Sequence, residues 1–274
     1  MLKDYLVPMS FWIAKKTNIK KPYIVGLTGG QGTGKTTISS ILMIILKKYF
    51  KLKVFKISID DIYKTKKDRI KLSKKIHPLL LTRGVPGTHD ISYMSSFIKK
   101  ANSRKFRLIK LPKFDKAIDD RFSKNNWYKV NRKPDVIIFE GWCVGARPES
   151  LKTLKKSVNM MEKNDDSKLI WRKYVNTQLK KGYKKLYSKL DCLLFLRAEN
   201  FSLLQKWRVI QEKKLKLKNK NKKTKQKIMT KKEVLNFMQT YQRITQNMFK
   251  YAPKYASIVI KLNSNHQINS VKYN

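Results

Sequence analysis

The chain has 274 residues, 41% of them hydrophobic, which is enough to bury a sizeable core as one large domain or two small ones. Its net charge of +46 attracts polyanions, yet the basic residues are 53 Lys against 11 Arg, spread along nearly the whole chain, whereas base readout favours Arg. Isoleucine (25) and asparagine (17) are plentiful too, so the charge reads as AT-rich coding bias and solubility, and no specific nucleic-acid partner is expected.

In chain order, residues 1–20 read as a helical extension whose apolar patch is interrupted by Asp4 and Pro8, with no cleavage site after it. The longest apolar stretch, 41–46, is far short of the roughly 20 residues that span a bilayer. The expectation is a cytoplasmic protein without a membrane partner. Brief apolar runs at 23–27, 54–59, 106–111, 135–139, 191–196 and 257–262 read as strands buried on both faces. Helical periods fall between them, at 36–48, 91–100, 171–190, 202–217 and 231–249. This alternation predicts an α/β fold, a parallel sheet with helices on both faces, built as a single domain over 1–274. The lysine-dense stretch 213–227 reads as solvated, because like charges at that density repel and bury nothing. Cys143 and Cys192 sit in or beside apolar runs and read as core thiols.

The first strand leads into Gly29-Gly-Gln-Gly-Thr-Gly34-Lys35-Thr36, which fits GxxxxGK(S/T) with a strand before it and a helix after it. Backbone N–H groups of Gly29, Gly30, Gln31, Gly32, Thr33, Gly34, Lys35, Thr36 and Thr37 can turn inward around phosphate oxygens, and the helix points its positive end at the same place. Lys35 is expected to reach the β- and γ-phosphates of ATP, and the Thr36 hydroxyl to ligate Mg²⁺. Glu140, ending the run Pro134-Asp-Val-Ile-Ile-Phe-Glu140, is a second candidate for the metal. Asp60 and Asp61 close the second strand at the same sheet edge, where a carboxylate can take the proton of an attacking hydroxyl; solvated turn residues are the competing reading.

Ser58-Ile-Asp-Asp-Ile-Tyr63 resembles the Ser-x-Asp-x-φ-Tyr segment of the uridine kinase, phosphoribulokinase and pantothenate kinase superfamily of P-loop kinases. His77-Pro-Leu-Leu-Leu-Thr-Arg-Gly-Val-Pro-Gly-Thr-His-Asp90, Leu111-Pro-Lys-Phe-Asp-Lys116, Asp119-Asp-Arg121, Phe139-Glu-Gly-Trp-Cys-Val-Gly145 and Trp207-Arg-Val-Ile-Gln-Glu212 resemble D-glycerate 3-kinase of the plant and cyanobacterial type. The segment Met229-Thr-Lys-Lys-Glu-Val-Leu-Asn-Phe237 extends that likeness, which covers most of the chain.

The resemblance implies transfer of the ATP γ-phosphoryl group to D-glycerate, with Asp60 as base and Lys35 and Arg208 stabilising charge. It also implies a helical lid over about 200–230 and a photorespiratory role. Glycerate is a small anion, so Arg83, His89, Lys113, Lys116 and Arg121 are the candidates to grip it, Arg83 and Arg121 foremost. Asp90 reads as an N-cap for the helix that follows, and Trp207 as packing. The alternatives are another acceptor (uridine, pantothenate or a sugar phosphate) and, more distantly, a nucleic-acid-dependent ATPase.

Overall fold

The computed structural model describes residues 2–18, 20–218 and 229–274. Six strands form its sheet: β1 (Tyr23–Gly29), β2 (Val54–Ser58), β3 (Val136–Gly141), β4 (Cys192–Arg197), β5 (Ile258–Leu262) and β6 (Ile268–Tyr273). Their order is β6-β5-β4-β1-β3-β2; the first five are parallel, and β6 returns antiparallel along β5 after a turn at 263–267. The helices are α1 (Val7–Lys16), α2 (Lys35–Lys48), α3 (Lys66–Lys75), α4 (Ser92–Ala101), α5 (Ile170–Gln178), α6 (Phe201–Lys218) and α7 (Lys231–Tyr251), with shorter helical turns between them.

The strands are apolar throughout because both faces are covered. Val136 and Ile138 of β3 pack with α1, α2 and α6, while Ile137 and Phe139, pointing the other way, pack with α4, α5 and α7. The helices answer with apolar stripes. On α2 the buried positions are Ile38, Ser39, Leu42, Ile45 and Leu46, and on α7 they include Val234, Met238, Tyr241, Ile244 and Met248. A capping box between Thr230 and Glu233 starts α7. Cys143 and Cys192 are free and buried, and burial pushes each thiol up to about 12. Among the described residues no helix is long and apolar enough to cross a membrane.

One expected strand needs correcting, and two elements lie outside the expected runs. The run 106–111 is not a strand of the main sheet: only Ile109–Leu111 is extended, pairing antiparallel with Tyr128–Val130 in a separate ribbon. Its burial alternates, Ile109 and Leu111 inside and Lys110 outside, which is the pattern of a strand covered on one face. Conversely β6 and α3 carry weak apolar patterns. The helix α3 (Lys-Lys-Asp-Arg-Ile-Lys-Leu-Ser-Lys-Lys) buries only Arg69, and its start is secured by the Thr65 hydroxyl accepting the Asp68 N–H at 3.1 Å. The lysine-dense run is described only as far as Lys218, within α6; its remainder, 219–228, lies outside the described residues.

Register aligns the strand tips. Thr28 of β1 stands opposite Gly141 of β3, Gly29 opposite Leu196 of β4, and Ser58 of β2 opposite Glu140 of β3. The loops leaving β1, β2 and β3 therefore open at one edge, and α7 passes over it. Gly84, with φ of +140°, lies under α7 so closely that a Cβ there would stand 2.3 Å from the Tyr241 hydroxyl. Gly84→Ala is expected to lower stability by about 2 kcal/mol or more, through both strain and the clash; an unchanged urea midpoint would contradict this packing.

Candidate active site

The sequence between β1 and α2 forms the floor of a cleft of about 1190 Å³ at the sheet edge just described. Gly34, at φ of +83°, sits in the cap position of α2, so the helix opens without a side-chain cap and aims its first N–H groups into the loop. The glycines serve a second purpose. The loop is pressed against α6, and a Cβ on Gly30 would lie 2.2 Å from Leu204 Cδ1. Lys35 curls back so that its ammonium donates to the Gly30 carbonyl at 2.8 Å, and burial lowers its pKa to about 8 against the pull of Glu140 and Asp60. Gln31, Gly32, Gly34, Lys35, Thr36 and Thr37 line the cleft, whereas Thr33 is buried and donates its hydroxyl to the Gly30 carbonyl at 2.9 Å.

Glu140, 4% exposed, rises from the tip of β3 against α2. The Thr36 hydroxyl donates to its Oε1 at 3.0 Å and the Ser39 hydroxyl to its Oε2 at 2.9 Å, which fixes the carboxylate. The extra methylene of Glu relative to Asp lets the group reach the second turn of the helix. These hard oxygens beside a phosphate loop suit Mg²⁺, which keeps several water and phosphate ligands and needs few from the protein. Among the described residues no cluster of three or more His, Cys, Asp or Glu groups suited to a metal occurs.

The two aspartates after β2 separate into different environments. Asp61 turns inward: it accepts the Ser58 N–H at 3.2 Å, completing a capping box, and the Tyr128 hydroxyl at 3.3 Å, and burial raises its pKa. Asp60 faces the cleft. Its Oδ1 accepts the Tyr63 hydroxyl at 2.7 Å and its Oδ2 the Lys116 ammonium at 2.8 Å. Burial opposes its charge, but Lys116, by charge and hydrogen bond, and Tyr63 outweigh that and hold its pKa at about 2.

Lys116 comes from the turn of a short ribbon, Phe114–Asp115 paired with Asp120–Arg121. The same turn carries Asp119, at φ of +56°, which pairs with Arg83 at the cleft wall and with Arg69 at 3.0 Å. Arg69 is 1% exposed and also donates to the Leu81 and Asp119 carbonyls at 2.7 and 2.6 Å, so it anchors the ribbon. Opposite, α6 contributes Lys206, Trp207, Arg208 and Gln211. Arg208 donates to Glu212 at 2.5 Å, and Trp207, buried, stacks on His266 from the 263–267 turn, centroids 4.3 Å apart. Partial desolvation of the His266 ring lowers its pKa, while hydrogen bonding with the loop backbone at Gly32 and Thr33 raises it in part.

Of the acceptor-gripping candidates, Arg83 and Lys116 line the cleft and His89, Arg121 and Lys113 do not. Arg121 is spent on the Tyr63 carbonyl at 2.7 Å and on Asp90 at 3.3 Å. Lys113 lies over the rings of Phe122 and Tyr128. Asp90 caps no backbone N–H: α4 begins at Ser92 without a side-chain cap, and the carboxylate instead takes the Ser92 hydroxyl and Arg121. His89, 2% exposed, forms a layer behind the cleft, stacked on Tyr63 with centroids 4.6 Å apart and sharing a hydrogen bond of 2.7 Å with the Tyr183 hydroxyl. Ser39 and Tyr63 were within reach of sequence reasoning, since Ser39 is one turn beyond Thr36 and Tyr63 belongs to the quoted motif. Tyr241 and His266 carry no local signal.

Burial drives the His89 pKa from 6.5 to about 3, so the ring is neutral when folded. As pH falls below 6.5 the unfolded chain takes up a proton that the folded chain refuses, and stability declines until the pH nears 3. Between pH 7 and 5 the native chain should lose about 2 kcal/mol more stability than His89→Gln, measured by urea unfolding; equal losses would mean that His89 is not held neutral.

No protein-family model matches the chain. It is similar to the uncharacterized kinase mug58 of Schizosaccharomyces pombe, 31% identical over 229 residues that make up 81% of this chain and 79% of that one. It is 25% identical over 233 residues to the chloroplastic D-glycerate 3-kinase of Arabidopsis thaliana, covering 77% of this chain and 48% of that longer protein. The structure of D-glycerate 3-kinase from Cryptococcus neoformans var. grubii superposes with a TM-score of 0.77 at 24% identity, covering 98% of this chain and 97% of that one.

Proposed function

We propose that this chain, which belongs to the family of P-loop kinases that includes Schizosaccharomyces pombe mug58 and D-glycerate 3-kinase and so is a phosphotransferase with a hydroxyl acceptor, phosphorylates D-glycerate. The donor is ATP and the product 3-phospho-D-glycerate. One observation carries the reading: in a single cleft, Asp60 faces Lys35 and Thr36 of the phosphate loop, and the cations Lys116 and Arg83 stand on the wall beside it. The loop suits a phosphate chain, Asp60 suits a hydroxyl proton, and the two cations suit a small carboxylate.

In this mechanism the loop amides and Lys35 bind the β- and γ-phosphates, and Arg208, leaving Glu212, neutralises charge on the transferring group. Thr36 and Glu140 are the residues that would hold Mg²⁺, which when bound neutralises phosphate charge. Arg83 orients the acceptor carboxylate, which puts the 3-hydroxyl beside Asp60 for in-line attack. Arg83 can do so without orphaning Asp119, because Arg69 keeps that carboxylate paired. The helix α6 acts as the lid, excluding water from the phosphates. His89 supports Tyr63 from behind and does not touch the acceptor.

A coupled ADP-release assay with D-glycerate, uridine, pantothenate and ribulose 5-phosphate tests the acceptor. Release with D-glycerate alone is expected; a response to another compound and none to D-glycerate would overturn it. Asp60→Asn should reduce turnover by about 10²- to 10⁴-fold with ATP binding retained, and near-normal turnover would remove Asp60 as base. Ser39→Ala frees one oxygen of Glu140, so half-maximal activity should need about tenfold more Mg²⁺; an unchanged Mg²⁺ titration would show that Ser39 does not position Glu140.

A further inference from the structure

The two cations offered to the acceptor are not equally available. Arg83 shares Asp119 with Arg69, so it can turn to an incoming anion at little cost. Lys116 is different: its ammonium sits on Asp60 itself, 2.8 Å from Oδ2, while the Tyr63 hydroxyl holds Oδ1. Both oxygens of the proposed base are thereby engaged. A carboxylate in an ion pair is a poor proton acceptor, since protonating it strands the ammonium. Lys116 is also the movable member. Its side chain is 58% exposed on a two-residue-wide ribbon, whereas Asp60 is only 31% exposed and tied to Tyr63.

We propose that Lys116 makes turnover depend on the acceptor's negative charge: its ammonium rests on Asp60 until an acceptor carboxylate draws it away, leaving Asp60 to take the hydroxyl proton. The inference rests on the reading of Asp60 and the acceptor given above. In the step so enabled, the acceptor oxygen bonds to the γ-phosphorus and the bond from phosphorus to the β,γ-bridging oxygen breaks. ADP leaves with that electron pair, and the hydroxyl proton passes to Asp60 and then to water. A neutral polyol leaves Lys116 where it is, so it is rejected in kcat as well as in KM. Water is refused for the same reason, which suppresses wasteful ATP hydrolysis without an acceptor.

The test compares ADP release by the wild-type chain, Lys116→Met and Lys116→Arg with D-glycerate, with glycerol, which lacks the carboxylate, and with no acceptor. For Lys116→Met, kcat/KM toward D-glycerate should fall by about tenfold to a hundredfold as one charge-assisted contact is lost. Toward glycerol, and toward water, its turnover should rise several-fold, because Asp60 is then permanently released. Lys116→Arg, which keeps the charge, should keep the preference for D-glycerate. D-Lactate, with the carboxylate but no 3-hydroxyl, should speed ATP hydrolysis by the wild-type chain and not by Lys116→Met. A parallel fall with D-glycerate and glycerol, or a D-lactate effect that survives the substitution, would overturn the proposal by making Lys116 an ordinary charge stabiliser. If the wild-type chain does not use D-glycerate at all, the acceptor assignment fails by itself. Lys116 is then judged on hydrolysis without acceptor: a rise in Lys116→Met upholds the inference and an unchanged rate overturns it.

Discussion

Strand β1 is hydrogen-bonded on both sides, to β3 and to β4, and the loop leaving it consequently has the tips of neighbouring strands on either side. Glu140 arrives from one side on β3, and Asp60 one strand further on, after β2, because β3 is inserted between the first two strands of the chain. Arg208 arrives from the other side, on the helix after β4. The loop needs glycine at Gly29 and Gly30 because it is so enclosed: Leu196 and Leu204 occupy the space that side chains would need. Strand order thus converts three separated sequence positions into one cleft, as expected where ligands bind at the carboxyl ends of an open sheet.

A second constraint is the scarcity of negative charge. The chain has 18 carboxylates for 64 lysines and arginines, so a buried carboxylate is a resource shared among cations. Asp166 and Glu162 take Arg172, and Glu162 and Glu149 take Arg243, binding the segment before α5 to α7 through pairs that are almost fully buried. Asp119 likewise serves two arginines. In such surroundings a breaking of one pair costs several kcal/mol unless another partner is at hand. Around the cleft partners are at hand, and exchange between them is the natural response to an arriving anion.

The buried strands, the phosphate loop and the helices with regular apolar spacing could all be read from the chain, because each rests on local chemistry: Val136 to Phe139 run apolar, and Gly34-Lys35-Thr36 leaves little choice of backbone. The location of Glu140 and Asp60 followed from the same logic. What escaped was whatever depends on distant neighbours. Arg83 and Arg121 look alike in sequence, and only the fold sets one on the wall of the cleft and spends the other on Tyr63 and Asp90. His89 sits in a motif that suggests ligand contact, yet Tyr63 stands between it and the cleft. The run at 106–111 differs from a buried strand only by Arg107 and Lys110, and in the three residues that are extended Lys110 alone marks the face left open to solvent.

The covering of the phosphate loop by His266 has a consequence for how the molecule is made. The loop is complete once residue 36 has left the ribosome, but the ring that leans on Gly32 and Thr33, together with the β5 and β6 pair carrying it, comes far later in the sequence. Closing contacts over so long a separation is slow in folding and leaves earlier elements waiting with apolar surface exposed. A growing chain therefore holds a nucleotide loop without its cover until the residues around His266 have been made. Binding of the nucleotide, if it begins then, would favour the arrangement into which the final hairpin must fit.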